Sequence, residues 1–252
     1  AVNKIIKKDE AENLPAYRSE IGYNTDRARG FIYTDIIRTQ AELDALLAKY
    51  PDYTIRGEKP ELGMINYKDI RGVTGDEPDG KITDEDQDWT INHSTPPIVY
   101  GFAVGGEWKG LALDLFFQGV SGNDLFINYR DQNARAAKIN SIEWDDHWTP
   151  DNTDAKYPRA EKPNSKNYPA STFWQRDGSF LRLKHVNLSY AVPKSFLSSL
   201  GVSQLKIFYV GANLLLMEDH VKEFDPEFGN VADNWRRYPV MKSHSFGINL
   251  SF

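Results

Sequence analysis

Between residues 69 and 86 the chain reads DIRGVTGDEPDGKITDED, a run of carboxylates broken by glycine and proline. Hard cations are held by several oxygens converging from a tight loop, so this stretch is the first place to look for chemistry. A second candidate is aromatic. Trp144, Trp148, Trp174 and Trp235 fall in or beside long polar stretches, where an indole face can stack on a sugar ring or pack a loop against its neighbours or a protein partner. Trp144, Trp148 and Trp235 are taken as the candidate ligand-binding residues. Catalysis finds little support. His93, His147, His185, His220 and His244 lack metal-ligating spacing, and no Gly-x-Ser-x-Gly elbow is present. Glu143, Asp145 and Asp146 are close enough to suggest an acid and base pair, but such acidic clusters are usually solvated. The chain is therefore expected not to be an enzyme and to require no cofactor.

Composition narrows the setting. With 252 residues the chain is long enough to bury a core. It has no cysteine, which excludes disulfides and thiolate metal sites. A net charge of −6 without basic clusters leaves no electrostatic footprint for nucleic acid. Mean hydropathy is negative, and no run approaches the roughly 18 apolar residues of a membrane helix. Barrel strands stay open, because lipid-facing and lumen-facing residues alternate and average to polar. The opening AVNKIIKKDE is too charged for a signal peptide's apolar core; Ala1 is expected to be an interior point of a longer chain or a cut boundary.

The elements that must position these residues are mostly strands. Ile98, Tyr100, Phe102, Val104, Gly106 and Trp108 share one parity, and Leu111, Leu113, Leu115 and Phe117 share another. A two-residue turn at Lys109-Gly110 would set Trp108 opposite Leu111, Val104 opposite Leu115 and Phe102 opposite Phe117, with both apolar sets on one face. Residues 172–192 return to strand character, and the parity change between Leu183 and Val186 predicts a bulge near Lys184 and His185. Pro193 and Gly201 bracket one helical turn, residues 204–216 form another strand, and residues 241–252 alternate Phe246, Ile248, Leu250 and Phe252 against Ser245, Gly247, Asn249 and Ser251. Upstream, residues 30–34 read as a short strand. Thr39 and Glu42 make a capping box for a helix over 39–50, and residues 59–88 read as an acidic surface loop. Connections alternate between very short and very long, as in outer-membrane barrels with tight periplasmic turns and long external loops.

These segments resemble the C-terminal part of the SusC/RagA family of TonB-dependent outer-membrane transporters. The matching stretches are INYKDI followed by DGKITDEDQ, PIVYGFAVGGEWKGLALDLFFQGVSGNDLF, HWTPDNTDAKYPR, FWQRDGSFLRLKHVNLSYAVPKSFLSSLGVSQLKIFYVGANLL, FDPEF and the closing SFGINLSF. The resemblance implies an all-β fold: the last antiparallel strands of a plugged transmembrane barrel of about 22 strands, with long extracellular loops and short helical turns. Residues 1–97 would hold the early strand, the helix and the acidic loop. Residues 98–252 would hold the C-terminal barrel strands, with long loops at 120–171 and 217–240. It further implies import of oligosaccharides or peptides in the outer membrane of a Bacteroidetes-like Gram-negative cell. A SusD-like surface lipoprotein would act as lid, TonB would engage the missing N-terminal part, and outer-membrane lipid would surround the wall. In the family the acidic loop often reads as an EF-hand-type calcium loop. Here Asp69, Asp79, Lys81 through its carbonyl, and Asp86 match by order, Arg71 stands where a ligand oxygen is expected, and residues 73–78 look inserted.

The alternative is a secreted all-β binding module whose apolar faces meet a second sheet, since alternation alone fits both burials. A barrel wall predicts that Leu113 faces lipid and Asp114 the lumen.

Overall fold

A computed structural model describes residues 3–73, 75–126, 141–160, 169–197, 201–228, 238 and 240–252. In chain order the strands are β1 (Ala28–Gly30), β2 (Tyr33–Ile36), β3 (Thr54–Ile55), β4 (Ile65–Tyr67), β5 (Lys81–Ile82), β6 (Asp88–Ile91), β7 (Ile98–Trp108), β8 (Leu111–Ser121), β9 (Asp124–Phe126), β10 (Gln175–Asp177), β11 (Phe180–Ala191), β12 (Gln204–Asp219) and β13 (Ser243–Ser251). The helices are α1 (Gln40–Lys49), α2 (Ser141–Asp145) and α3 (Lys194–Leu197).

The long strands form one five-stranded antiparallel sheet in the order β13-β12-β11-β8-β7. The hairpin register is the one expected: Trp108 faces Leu111, Val104 faces Leu115 and Phe102 faces Phe117, the last pair stacked with ring centroids 4.7 Å apart. Lys109 at φ 49 joins Gly110 at φ 86. Two successive positive φ values give the turn whose twist matches that of the flanking strands.

Following the pairs across the sheet, Trp108, Leu111, Tyr190, Ile207 and Ile248 lie in one row. Gly106, Leu113, Leu188, Tyr209 and Phe246 lie in the next. Paired residues point to the same side, so the rows build one unbroken apolar face. The opposite face carries Glu107, Asp114, Asn187, Ser189 and Ser245, with the Asn187 side-chain amide donating to Asp114 at 3.3 Å. Among the described residues no second sheet covers the apolar face; Phe246 is 81% exposed and Trp108 70%. The fold is a segment of an antiparallel transmembrane β-barrel. The sealed sandwich of the alternative reading is not formed.

The expected bulge is present and is shared. Between Leu183 and His185 the strand β11 gains Lys184 relative to β8, whereas relative to β12 it is β12 that carries the extra residue, with Asn213 at φ 54. Strand β12 continues to Asp219, beyond the expected end at Leu216. Its length exceeds the 9–11 or so residues a tilted strand needs to cross a bilayer.

Beyond the sheet, at the end opposite the short turns, the chain builds a cap with its own hydrophobic core. Phe31, Ile36, Ile55, Met64, Ile65, Tyr67 and Ile82 meet Leu125, Trp148, Tyr157, Trp174 and Val221 there. This corrects three expectations. Residues 59–88 are not a surface loop: they contain β4 and β5 and bury Met64, Ile65, Tyr67 and Ile82, because the short apolar run at 64–67 is itself strand-like and the turn residues merely bracket it. The long loop expected at 120–171 contains β9 and α2, and its Leu125, Trp148 and Tyr157, with Val221 of the loop expected at 217–240, anchor in that core. The short strand expected at 30–34 is divided in two, β1 pairing with β6 and β2 with β4.

Candidate functional site

The acidic loop hangs on its own carboxylates. Asp69 accepts the backbone N–H of Asp79 at 3.3 Å and of Gly80 at 2.7 Å, and Asp79 accepts that of Lys81 at 2.9 Å. Gly80, at φ 78, makes the turn where a Cβ would come within 2.9 Å of the Tyr50 ring. Asp86 is fully buried. One of its oxygens accepts the N–H of Ile70 and Arg71 at 2.7 and 3.0 Å, the other the N–H of Thr83 at 2.7 Å and the Thr83 hydroxyl at 3.4 Å. Burial holds the Asp69 carboxyl above its ordinary range; the negative charges of Asp86 and Asp79 add to this and the Gly80 amide opposes it. Burial also pushes the Tyr53 hydroxyl up, with Asp69 and Asp86 contributing.

A carboxylate offers about four acceptor sites. Asp86 fills its own with protein donors, whereas Asp69 and Asp79 keep lone pairs in reserve. Among the described residues no three acidic or imidazole side chains stand together as a metal-holding group. Arg71 donates to the carbonyls of Glu85 and Gln87 at 3.2 and 3.4 Å, and its guanidinium lies 4.0 Å from the centre of the Tyr17 ring. The position expected to supply a ligand oxygen thus supplies a positive charge instead.

The tryptophans part company. Trp148 is 8% exposed; its indole N–H donates to the Arg38 carbonyl at 3.2 Å, and a Cβ at Gly63 would come within 2.5 Å of its ring. At that burial the ring is part of the cap core rather than a platform open to a sugar. Trp174 is likewise buried, edge-on to Phe173. Trp144, on α2, stays half exposed and stacks on His147 at 4.6 Å. Trp235 lies outside the described residues. Glu143 is buried while Asp145 and Asp146 are exposed, so the three acids do not share one surface.

Two polar assemblies escaped the sequence reading. Arg182, nearly buried on β11, pairs with Asp225 at 2.6 Å and lies 3.0 Å from Glu227, which also takes Lys184 at 3.0 Å. The FDPEF stretch is thereby clamped onto the bulge. Nearby, Arg176 pairs with Glu223 at 2.9 Å, and burial together with Glu223 pushes the Tyr157 hydroxyl up to about 12. The second assembly gathers Arg18, Arg29 and Arg71 round Tyr17. Only the crowding of charged residues into 17–29 hinted at it, because its members come from three separate places, the turn at Ala16–Arg18, β1 and the segment between β4 and β5.

No family model matches the chain. Among curated proteins it is 29% identical to the TonB-dependent receptor P26 of Formosa agariphila over 228 residues, covering 85% of this chain and 21% of that protein. It is 28% identical to the TonB-dependent receptor P3 of the same organism over 211 residues, 79% of this chain and 20% of that one. The chain thus spans about a fifth of the length of the curated relatives it matches. Among solved structures, the RagAB peptide transporter superposes with a TM-score of 0.62 at 26% identity, covering 95% of this chain and 24% of that one. The RagAB peptide importer in its closed-closed state gives 0.61 at 26% identity over the same shares. These relatives are receptors and transporters, not enzymes. Sequence and fold agree: over most of its length the chain is similar to TonB-dependent receptors and to the RagAB transporter.

Proposed function

We propose that the whole protein containing this segment imports large nutrients, oligosaccharides or peptides, across the outer membrane of a Bacteroidetes-like cell. It draws on energy relayed by TonB and works beneath a SusD-like surface lipoprotein. The observation that carries this reading is the two-faced wall: one face dominated by large apolar groups across the five strands, the other mixed, with Glu107, Asp114, Asn187, Ser189 and Ser245 beside Phe116, Phe208 and Val210, and with a folded cap at one end and tight turns at the other. Such a wall suits lipid outside and a wet lumen inside. The likeness to a TonB-dependent receptor and to the RagAB peptide transporter supports it further. The experiment is uptake of a labelled oligosaccharide or peptide pool by cells expressing the full-length protein, with and without TonB. TonB-dependent accumulation is expected; accumulation that ignores TonB overturns the reading. A monodisperse, detergent-free monomer of this segment with a cooperative melt would instead favour a secreted module.

In the acidic loop the proposal is a structural calcium ion, held by Asp69, Asp79 and the Lys81 carbonyl, the oxygens with capacity left. Asp86 serves the loop's own amides. For ligand contact the proposal rests on Trp144, whose ring is the exposed one among the described candidates.

A further inference from the structure

The guanidiniums of Arg18, Arg29 and Arg71 converge on one side of the cap. Tyr17, in a 3-10 turn after Pro15, is the hub: the Arg71 guanidinium sits 4.0 Å from its ring centre and that of Arg29 5.6 Å. The Tyr17 carbonyl is tied down by the indole N–H of Trp89 at 3.0 Å. Trp89 and Tyr23 in turn hold Arg27, whose guanidinium lies 4.6 and 3.9 Å from their rings.

Glu85 is the carboxylate that answers this charge. It accepts the Tyr17 hydroxyl and pairs with Arg18 at 2.6 Å. Arg29 and Arg71 donate to backbone carbonyls only, both reaching that of Gln87. Among the described residues the three guanidiniums thus have one carboxylate ion pair between them, that of Arg18 with Glu85. The Nε of Arg18 and of Arg29 are buried with no acceptor among the described residues. Burial and the positive charges of Arg18 and Arg71 lower the proton affinity of Arg29. Partly buried positive charge without a counter-charge is unfavourable, and buried donors are normally satisfied. A fork of guanidiniums fixed by aromatic stacking and carbonyl bonds is a geometry suited to planar or tetrahedral oxyanions.

We propose that the Arg18–Arg29–Arg71 cluster around Tyr17 is an oxyanion-binding site, taking the carboxylate, sulfate or phosphate of an anionic saccharide. The site rests on the import reading for one thing only, that the anion arrives on a nutrient; the phosphates of outer-leaflet lipopolysaccharide offer the same chemistry. The test is calorimetry on the purified full-length transporter with inorganic sulfate, trigalacturonate, neutral cellotriose and lipopolysaccharide nanodiscs. Sulfate and trigalacturonate are expected to bind and cellotriose not to. The Arg29→Gln/Arg71→Gln double variant should lose roughly tenfold or more, the size of removing charge-assisted hydrogen bonds. Arg71→Lys, which keeps the charge without the fork, should lose less while melting as the parent does. Arginine-dependent binding of the nanodiscs alone keeps the oxyanion site and assigns its ligand to lipid. Anion binding unchanged in the double variant, or absent in the parent, overturns the site. The two readings fail separately: TonB-dependent uptake without anion binding removes the oxyanion site alone, and anion binding without such uptake removes import alone.

Discussion

Glu85 gives one residue of the cap a pH signature that can be tested. The Tyr17 hydroxyl donated to it and the adjacent Arg18 charge hold its carboxyl below the ordinary value of 4.5, against the opposing effect of burial. A group whose folded pKa is depressed contributes stability that is present above its unfolded pKa and lost as pH falls through the folded one. Melting followed from about pH 6 down to about pH 3 should show an acid limb, and Glu85→Gln should flatten it; an unchanged limb would place the acid sensitivity elsewhere. Asp79 tests the other residue-level proposal. Calcium titrated into the parent by calorimetry is expected to give heat that Asp79→Ala abolishes, and identical heats for the two would remove the ion. Both positions show how little residue type alone decides. The same acidic run reads as a cation site in sequence, yet in space Asp86 is filled by the loop's own donors and the Arg71 guanidinium lies over the Tyr17 ring.

The strands of the wall were legible because a period of two is a local property: parity along residues 98–117 fixes which side chains share a face once the turn length is known. Lys109-Gly110 set that length, and every pair expected of the hairpin is found. Facing gives a sharp contrast. In the full-length barrel, Leu113→Arg should destabilise by about 2–4 kcal/mol if Leu113 lies near the bilayer midplane. Asp114→Arg, on the polar face beside Asn187, should cost clearly less. Urea or thermal unfolding of the refolded barrel in lipid measures both, and equal penalties would contradict the assigned faces. The short elements of the cap were not legible in this way. A strand of two or three residues, such as β3, β5 or β9, is too brief to display a period, and its partner lies far off in the chain.

At the scale of the whole molecule, the described residues divide into a five-stranded wall with an exposed apolar face and a cap that is packed against itself. Trp148 tests the division. It fills the cap core against Gly63 and ties Arg38, so Trp148→Ala should cost about 3–5 kcal/mol of cap stability. Hydrogen exchange should speed up in α1 and β4 and stay unchanged in β8 and β11. Equal acceleration in both would mean that cap and wall unfold as one unit.

The sequence by itself determined the wall: its alternation, its tight turns and the bulge at Lys184 all follow from patterns spanning a few consecutive residues, where chain geometry leaves one choice of face. Only the tertiary structure decided the cap. Whether Trp148 meets a sugar or a core, whether Asp86 holds an ion or four protein donors, and whether Arg71 belongs to an acidic loop or to a cationic cluster with Arg18 and Arg29 depend on contacts between separate segments, the Trp148 bond to Arg38 reaching across 110 positions. Those contacts are set by how buried volume is shared among distant segments, and no local period encodes that.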